Sequence, residues 1–187
     1  MNAIAFYAIV RKIPQTRYLQ AFERIGEPMK EKIKVLMVCH GNICRSTMAQ
    51  FIFDYQIKQR GLEDVIETDS AATSREEIGN GPHYGTVNKL REAGIPILKH
   101  RAVQMTKSDY DRYDYLIGMD DWNIRNMSRI TGGDPEGKMY KLLEFAGKSR
   151  DIADPWYTGN FDDTYNDIME GLEGLWRVLS AKLGSQS

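Results

Sequence analysis

The feature that most constrains the fold is an alternation of short, branched apolar runs with longer segments of helical spacing. Ile33–Val38 is an apolar run typical of a buried parallel strand, and Ser46–Arg60 carries apolar residues on one helical face. The pattern continues with strand-like runs at Val65–Thr68, Tyr113–Met119 and Met139–Leu143 and helix-like segments at Tyr84–Ala93, Asp120–Ile130 and Asp162–Leu183. Strands separated by helices connect through right-handed crossovers into a parallel sheet. We therefore expect an α/β fold, a three-layer sandwich with a central four-stranded parallel sheet and helices on both faces.

Size and charge narrow the class of protein. The chain has 187 residues, and its 25 Lys and Arg against 26 Asp and Glu leave a formal charge of −1. This balance offers no basic field for nucleic acid or for an anionic membrane, so neither is an expected partner. The apolar run Ala3–Val10 is far shorter than the roughly 20 residues that span a bilayer. With only two cysteines, a disulfide-stapled secreted scaffold is excluded, and a reducing, cytoplasmic location is expected.

Residues 1–31 differ in pattern from the rest of the chain. Thr16–Gly26 has helical spacing and ends in glycine, which predicts an accessory helix or arm. The alternative is that this segment is upstream sequence, with Met29 as the natural start. We expect an N-terminal extension of unknown role at residues 1–31 and a folded domain at residues 32–187.

The junction after the first strand is where a ligand is expected, because parallel sheets bind ligands outside the carboxyl ends of their strands. Residues 38–46 read VCHGNICRS there. Loop amides at the start of a helix form a concave site for a tetrahedral oxyanion. Gly41 allows close backbone approach, and Asn42 tolerates a left-handed conformation. The predicted phosphate-binding loop consists of His40, Gly41, Asn42, Ile43, Cys44 and Ser46.

Cys39 lies at the floor of this predicted loop. A helix N-terminus and a nearby arginine favour the thiolate form of a cysteine, which is the nucleophilic form. Arg45 presents a planar fork for two phosphate oxygens, and the Ser46 hydroxyl can donate to the sulfur. The alternative is an inert cysteine at a strand end with a surface arginine. The preceding strand, the internal glycine and the following helix favour a phosphate site with a nucleophile.

A phosphate ester with a poor leaving group also needs a general acid. Asp154 differs from the other carboxylates near the end of the chain because Pro155 holds it extended and Trp156 and Tyr157 follow. These two rings could form a slot for a substrate phenyl ring. The alternative is that Asp-Pro marks only a turn. From the residues alone, the acid is one of Asp151, Asp154, Asp162, Asp163 and Asp167.

Residues 38–46 resemble the active-site signature of the low-molecular-weight protein tyrosine phosphatases. Further blocks match that family in the same order, at Asp69–Ser74, Gly94–Pro96, Tyr113–Asp121 and Asp154–Tyr157. The resemblance extends from about Ile33 to Leu183. It implies that residues 32–187 form a phosphatase domain acting on phosphotyrosine proteins or peptides and on aryl phosphates.

The resemblance also implies roles for individual residues. Cys39 would attack phosphorus and form a phosphocysteine, while Arg45 and the loop amides stabilise the phosphate oxygens. Asp154 would protonate the leaving group and then activate water, and Trp156 and Tyr157 would line the substrate slot. The implied mechanism needs no metal and no cofactor.

Supporting residues follow from the same resemblance. Asn42 matches a loop asparagine that the family holds with a serine and a histidine, and Ser70 and His100 occupy those positions. For His100, the alternative is an ordinary surface histidine. Cys44 matches a second loop cysteine that can form a reversible disulfide with Cys39.

The chain also departs from the family pattern. His40 stands where the family often has leucine or another small or apolar residue, and Thr47 replaces a frequent proline. Residues 75–77, Arg-Glu-Glu, fill a loop where some members place an aromatic wall. We expect these changes to affect which phosphopeptide fits.

Other functions on the same fold remain as alternatives. Arsenate reduction by a thiol relay needs three cysteines, and this chain has two. Arginine phosphatases resemble it except for a threonine where Ile43 stands, and phosphocysteine carriers of sugar transport need no acid at Asp154. A non-catalytic phosphotyrosine-binding module would be marked by loss of the thiol or the acid, and neither is lost.

Overall fold

A computed structural model describes residues 32–184, and its centre is a four-stranded sheet. The strands run in the spatial order β2-β1-β3-β4, and every neighbouring pair is parallel. Their bounds are Ile33–Cys39 for β1, Ile66–Ala72 for β2, Tyr115–Gly118 for β3 and Met139–Lys141 for β4. The predicted α/β class and four-stranded parallel sheet are confirmed. The predicted extension at residues 1–31 lies outside the described residues.

Helices cover both faces of this sheet. Those of the described chain are α1 (Arg45–Gln59), α2 (Tyr84–Glu92), α3 (Ser108–Arg112), α4 (Asp121–Thr131), α5 (Pro155–Thr158) and α6 (Phe161–Gly184), with a 3₁₀ helix at Leu142–Ala146. Among residues 32–184, none of these helices combines the length and hydrophobicity that crossing a bilayer requires.

The fourth strand is shorter than the sequence predicted. It ends at Lys141, and Leu142–Ala146 turn into the 3₁₀ helix instead of extending it. Leu142 and Leu143 are both buried in the cluster that contains the apolar stripe of α6. Packing against α6 therefore overrides the extended conformation that this apolar run suggests on its own.

Successive side chains of β1 point to opposite faces of the sheet and contribute to two separate parts of the core. Val35 and Met37 belong to the cluster built with α1 and α6, while Leu36 and Val38 belong to the cluster that contains Tyr110 of α3 and Met127 of α4. The α6 stripe predicted as core is buried at Ile168, Leu172, Leu175 and Leu179.

The topology also determines where a site can form. Because all strands are parallel, their carboxyl ends meet at one edge of the sheet. Cys39 pairs with Ala72 of β2, and Gly118 of β3 pairs with both Val38 and Lys141. The segments that follow β1, β3 and β4 therefore converge beside Cys39.

Candidate active site

The loop between β1 and α1 curls around the Cys39 sulfur. Asn42 has a φ of 58°, the left-handed conformation that its short polar side chain was expected to allow. Its backbone amide donates to Cys39 Sγ at 3.3 Å. The first-turn amides of α1 have no intrahelical acceptors, and Ser46 of that turn contacts the same sulfur. Cys39 therefore sits at the positive end of a helix.

The Ser46 hydroxyl is oriented by its neighbours. Its oxygen lies 3.0 Å from Cys39 Sγ and accepts a hydrogen bond from Asn42 Nδ2 at 3.0 Å. Because the oxygen already accepts a hydrogen bond, its own hydrogen is available for the sulfur. Both side chains are buried, with Cys39 only 3% exposed.

Asn42 joins the loop to two distant segments. Its Nδ2 donates to Ser70 Oγ at 2.8 Å, and its carbonyl oxygen lies 2.9 Å from His100 Nε2. The Thr47 hydroxyl donates to the same carbonyl at 2.9 Å. The structure therefore brings together Asn42, Ser70 and His100, and His100 is not an isolated surface histidine. These contacts hold the left-handed residue in place.

Arg45 is a charged residue of the site that is almost completely buried, with 2% of its surface exposed. Its Nη1 donates to Asp120 Oδ2 at 2.6 Å and to the Ile152 carbonyl at 3.0 Å, and its Nη2 donates to Asp154 Oδ2 at 2.5 Å. Burial alone would lower its pKa, but the negative charges of Cys39, Asp154 and Asp120 outweigh burial, and the pKa is raised. The buried Arg45 Nε–H has no acceptor among the described residues.

Asp154 is the N-cap of the short helix α5, whose first residue is Pro155. Its Oδ1 accepts from the Trp156 amide at 3.1 Å, which leaves Oδ2 facing Arg45. The Trp156 and Tyr157 side chains, expected to line a substrate slot, are 57% and 84% exposed. Asp154 and the two rings therefore lie at the opening of the candidate site.

The other four candidate carboxylates contact different partners. Among the described contacts, Asp154 alone of the five bonds to Arg45. The remaining contacts are Asp151 with Lys141 at 2.9 Å, Asp162 with Lys89 at 2.5 Å, Asp163 with Asn160 at 2.7 Å and Asp167 with Arg150 at 2.6 Å.

Cys44 differs from Cys39 in its surroundings, although both are free thiols. Burial, and after it the nearby charges of Cys39 and Asp154, raise the pKa of Cys44 to about 12. Cys44 is therefore a neutral thiol at physiological pH.

The rim of the site beside residues 75–77 is polar, as expected from the departures in sequence. His40 Nε2 lies 2.9 Å from Glu76 Oε2, and both side chains are at least half exposed. Gly41 is also close to this loop, since a Cβ at Gly41 would lie 3.1 Å from Glu77 Cγ. Residues 75–77 therefore pack directly beside the phosphate loop.

Sequence reasoning missed several groups that shape the site. Asp120 binds Arg45, and Gln50 accepts from the Ser70 hydroxyl at 2.6 Å. Asp120 directly follows the predicted third strand, Tyr113–Met119, so its place at the same sheet edge as Cys39 was a usable signal. The Val103 amide, which donates to Asn42 Oδ1 at 3.2 Å, and the Ile152 carbonyl are backbone groups that no side-chain pattern reveals.

Comparison with known proteins shows which family this sequence matches. The family model described as low molecular weight phosphotyrosine protein phosphatase matches residues 34–186. The low molecular weight protein-tyrosine-phosphatase YfkJ of Bacillus subtilis is 41% identical over 145 residues, covering 76% of this chain and 93% of the relative. The low molecular weight phosphotyrosine protein phosphatase of Schizosaccharomyces pombe is 37% identical over 150 residues, covering 76% and 94%.

Solved structures agree with the sequence comparison. The crystal structure of YfkJ superimposes with a TM-score of 0.79 at 38% identity, covering 83% of this chain and 99% of that one. That of a Drosophila arginine phosphatase superimposes with a TM-score of 0.72 at 26% identity, covering 79% and 98%. The chain therefore belongs to the low molecular weight phosphotyrosine protein phosphatase family, and it is an enzyme of the hydrolase class.

Proposed function

We propose that this protein hydrolyses phosphotyrosine in proteins or peptides through a phosphocysteine intermediate. The observation that carries the proposal is the buried Arg45 Nε–H, which has no acceptor among the described residues. An unpaired buried donor on a guanidinium is costly, and a phosphate oxygen would satisfy it. The charge of Cys39 acts on the same guanidinium, so the anion would bind where the nucleophile lies.

In the first step, the Cys39 thiolate attacks phosphorus and the bond from phosphorus to the phenolic oxygen breaks. Asp154 gives its proton to that oxygen, so tyrosine leaves as a neutral phenol. The phosphoryl group is then bonded to sulfur. Arg45 and the amides at the start of α1 stabilise its three other oxygens in the transition state.

In the second step, water attacks the phosphocysteine and Asp154 takes one of its protons. The phosphorus–sulfur bond breaks, inorganic phosphate forms, and the thiolate is regenerated. The Ser46 hydroxyl and the Asn42 amide, 3.0 and 3.3 Å from the sulfur, stabilise the leaving thiolate. Asp154 transfers both protons, and Arg45 and the backbone amides stabilise the phosphate charge. The proposed mechanism therefore calls on no metal or cofactor.

The surroundings of the site support an aryl phosphate as substrate. Two exposed rings, Trp156 and Tyr157, directly follow the acid and can pack against a phenyl ring at the mouth. The similarity to an arginine phosphatase makes phosphoarginine the substrate to compare.

A thiolate nucleophile must stay reduced, so we also propose that the enzyme works in a reducing compartment such as the cytoplasm.

The test compares phosphate release from p-nitrophenyl phosphate, a phosphotyrosine peptide and a phosphoarginine peptide, with formation of arsenite from arsenate measured in parallel. We expect turnover of the two aryl phosphates, trapping of phosphate on Cys39 after acid quenching, and no turnover by Cys39→Ser. Cys44→Ser is the matched control, because Cys44 lies on the same loop and keeps a neutral thiol. Binding of the phosphotyrosine peptide without phosphate release would support a non-catalytic module instead.

A further inference from the structure

We propose that a pocket of aromatic side chains beside the acid helix binds an aromatic or large aliphatic residue of the substrate, near the phosphotyrosine. This inference rests on the proposed function and specifies which phosphopeptides the enzyme favours. The aromatic pocket has a volume of about 330 Å³ and is lined by His83, Tyr84, Pro155, Trp156 and Phe161, with two glycines. None of its lining residues is Lys, Arg, Asp or Glu, so it suits an apolar side chain.

The pocket is preorganised by contacts among its own rings. The His83 ring stacks on Phe161 with centroids 5.3 Å apart and an interplanar angle of 6°, and it meets Trp156 edge-on at 5.6 Å. Its Nδ1 accepts from the Gly85 amide at 3.1 Å. A Cβ at Gly85 would lie 2.3 Å from the Phe161 ring, so this close packing requires glycine. Little side-chain entropy would be lost when a ligand enters.

The aromatic pocket is connected to the proposed active site in two places, at the phosphate-binding loop and at Asp154. The His83 amide donates to the Ile43 carbonyl at 2.8 Å, which ties the pocket to the phosphate-binding loop. Pro155 and Trp156 directly follow the proposed acid, Asp154. Two residues of chain span at most about 7 Å, and an extended peptide advances about 3.3 Å per residue. A residue two or three positions from the phosphotyrosine would therefore reach the pocket.

The exposed rings show that the pocket is open to such a residue. Tyr84 is 74% exposed and Trp156 is 57% exposed. The pocket also shares Gly85, Gly159 and Phe161 with a larger, more polar concavity of about 530 Å³. An extended substrate segment can continue along that groove, where side chains such as Asn88 can hydrogen-bond its backbone.

The experiment compares phosphotyrosine peptides that carry Phe or Ala, one position at a time, two and three residues on either side of the phosphotyrosine. We expect wild-type kcat/KM to be about three- to tenfold higher with Phe at one of these positions, the usual worth of an added aromatic contact. Tyr84→Ala should remove this preference and leave p-nitrophenyl phosphate hydrolysis unchanged. Tyr84→Phe, which keeps the ring, should retain it.

Val178→Ala is the control. It truncates another exposed apolar side chain, which lies about 25 Å along α6 from Phe161 of the pocket. Equal turnover of all peptides by the wild type, or a preference that survives Tyr84→Ala, would overturn the inference. An equal loss by Tyr84→Ala on every substrate, p-nitrophenyl phosphate included, would also overturn it, because Tyr84 would then support the acid helix only. If the wild type releases no phosphate from any substrate, the proposed function itself fails, and this inference fails with it.

Discussion

Asp154 Oδ2 lies 2.5 Å from Arg45 Nη2, so the proposed general acid and the proposed phosphate-binding residue are hydrogen-bonded to each other. The other end of the guanidinium is anchored separately, because Nη1 donates to Asp120 and to the Ile152 carbonyl. A bound phosphate would therefore take over Nη2 without displacing the arginine. The Asp154 oxygen that Nη2 releases would then face the leaving group.

Asp154→Asn removes the acid while keeping the size of the side chain. We expect phenyl phosphate hydrolysis to slow by about 10²–10⁴-fold, the usual contribution of a general acid. Hydrolysis of 2,4-dinitrophenyl phosphate should slow far less, because its leaving group needs no proton. Values of kcat/KM on both esters measure this, because they report the first step and not the later hydrolysis of the phosphocysteine, in which Asp154 also acts. Asp163→Asn is the control on a neighbouring carboxylate. Equal slowing on both esters would contradict the assignment.

Arg45→Lys keeps the charge but loses the planar fork. We expect kcat/KM for aryl phosphates to fall about 10²–10³-fold, because the donors of lysine lie on a single nitrogen that cannot reach Asp120, the Ile152 carbonyl and a phosphate together. Arg150→Lys is the matched control, since Arg150 pairs with Asp167 through both Nη atoms at 2.6 Å on the surface. That variant should stay within about twofold of the wild type. Similar losses in both variants would argue against a role for Arg45 at the phosphate.

Cys44 should make the fold sensitive to alkaline pH. The folded pKa of about 12 lies above the ordinary value of 9.0 because burial favours the neutral thiol. The folded state therefore binds the proton more tightly, and its stabilising effect is complete below pH 9.0 and lost as pH rises towards 12. The loss is at most about 1.4 kcal/mol per pH unit for one group.

Urea unfolding of the wild type and Cys44→Ala from pH 7 to pH 11 measures this effect. The free energy of unfolding should fall more steeply above pH 9.0 in the wild type than in the variant. Tyr113, whose pKa burial also raises to about 12, titrates in both proteins and cancels in the comparison. Parallel curves for the two proteins would rule out the effect of Cys44.

Asn42 combines a left-handed backbone with a buried hydrogen-bonding side chain. Asn42→Gly and Asn42→Ala both remove the bonds to Ser46, Ser70 and the Val103 amide. Alanine should cost about 1 kcal/mol more than glycine, because a φ of 58° is strained for a residue with a Cβ. Urea unfolding of the two variants gives this difference directly. An alanine variant as stable as the glycine variant would show that the loop relaxes to another conformation.

The loop proposed to contain the nucleophile has a recognisable sequence pattern because its parts are local. Cys39, Asn42 and Arg45 lie within seven residues between a strand pattern and a helix pattern, and that order alone predicts an anion site. The helices α3 and α5 could not be predicted in this way, because five and four residues are too short to show a helical period. The early end of β4 was missed because contacts with α6, distant in sequence, decide it.

The proposed acid shows the limit of prediction from single residues. Five aspartates near the end of the chain were candidates, and although Asp154 differed in its local pattern, only the family resemblance selected it. The aromatic pocket was also not foreseen, because His83, Trp156 and Phe161 show no common pattern along the chain. Backbone groups such as the Ile152 carbonyl leave no trace in the sequence.

The amino-acid sequence by itself determined the class of fold and the loop that contains the proposed nucleophile. Both depend on interactions between residues close together in the chain: hydrophobic period, a tolerated left-handed residue and a helix start. Only the tertiary structure decided which carboxylates meet Arg45, since Asp120 and Asp154 lie 75 and 109 residues away. They meet because the strand order β2-β1-β3-β4 places the ends of β3 and β4 on one side of β1.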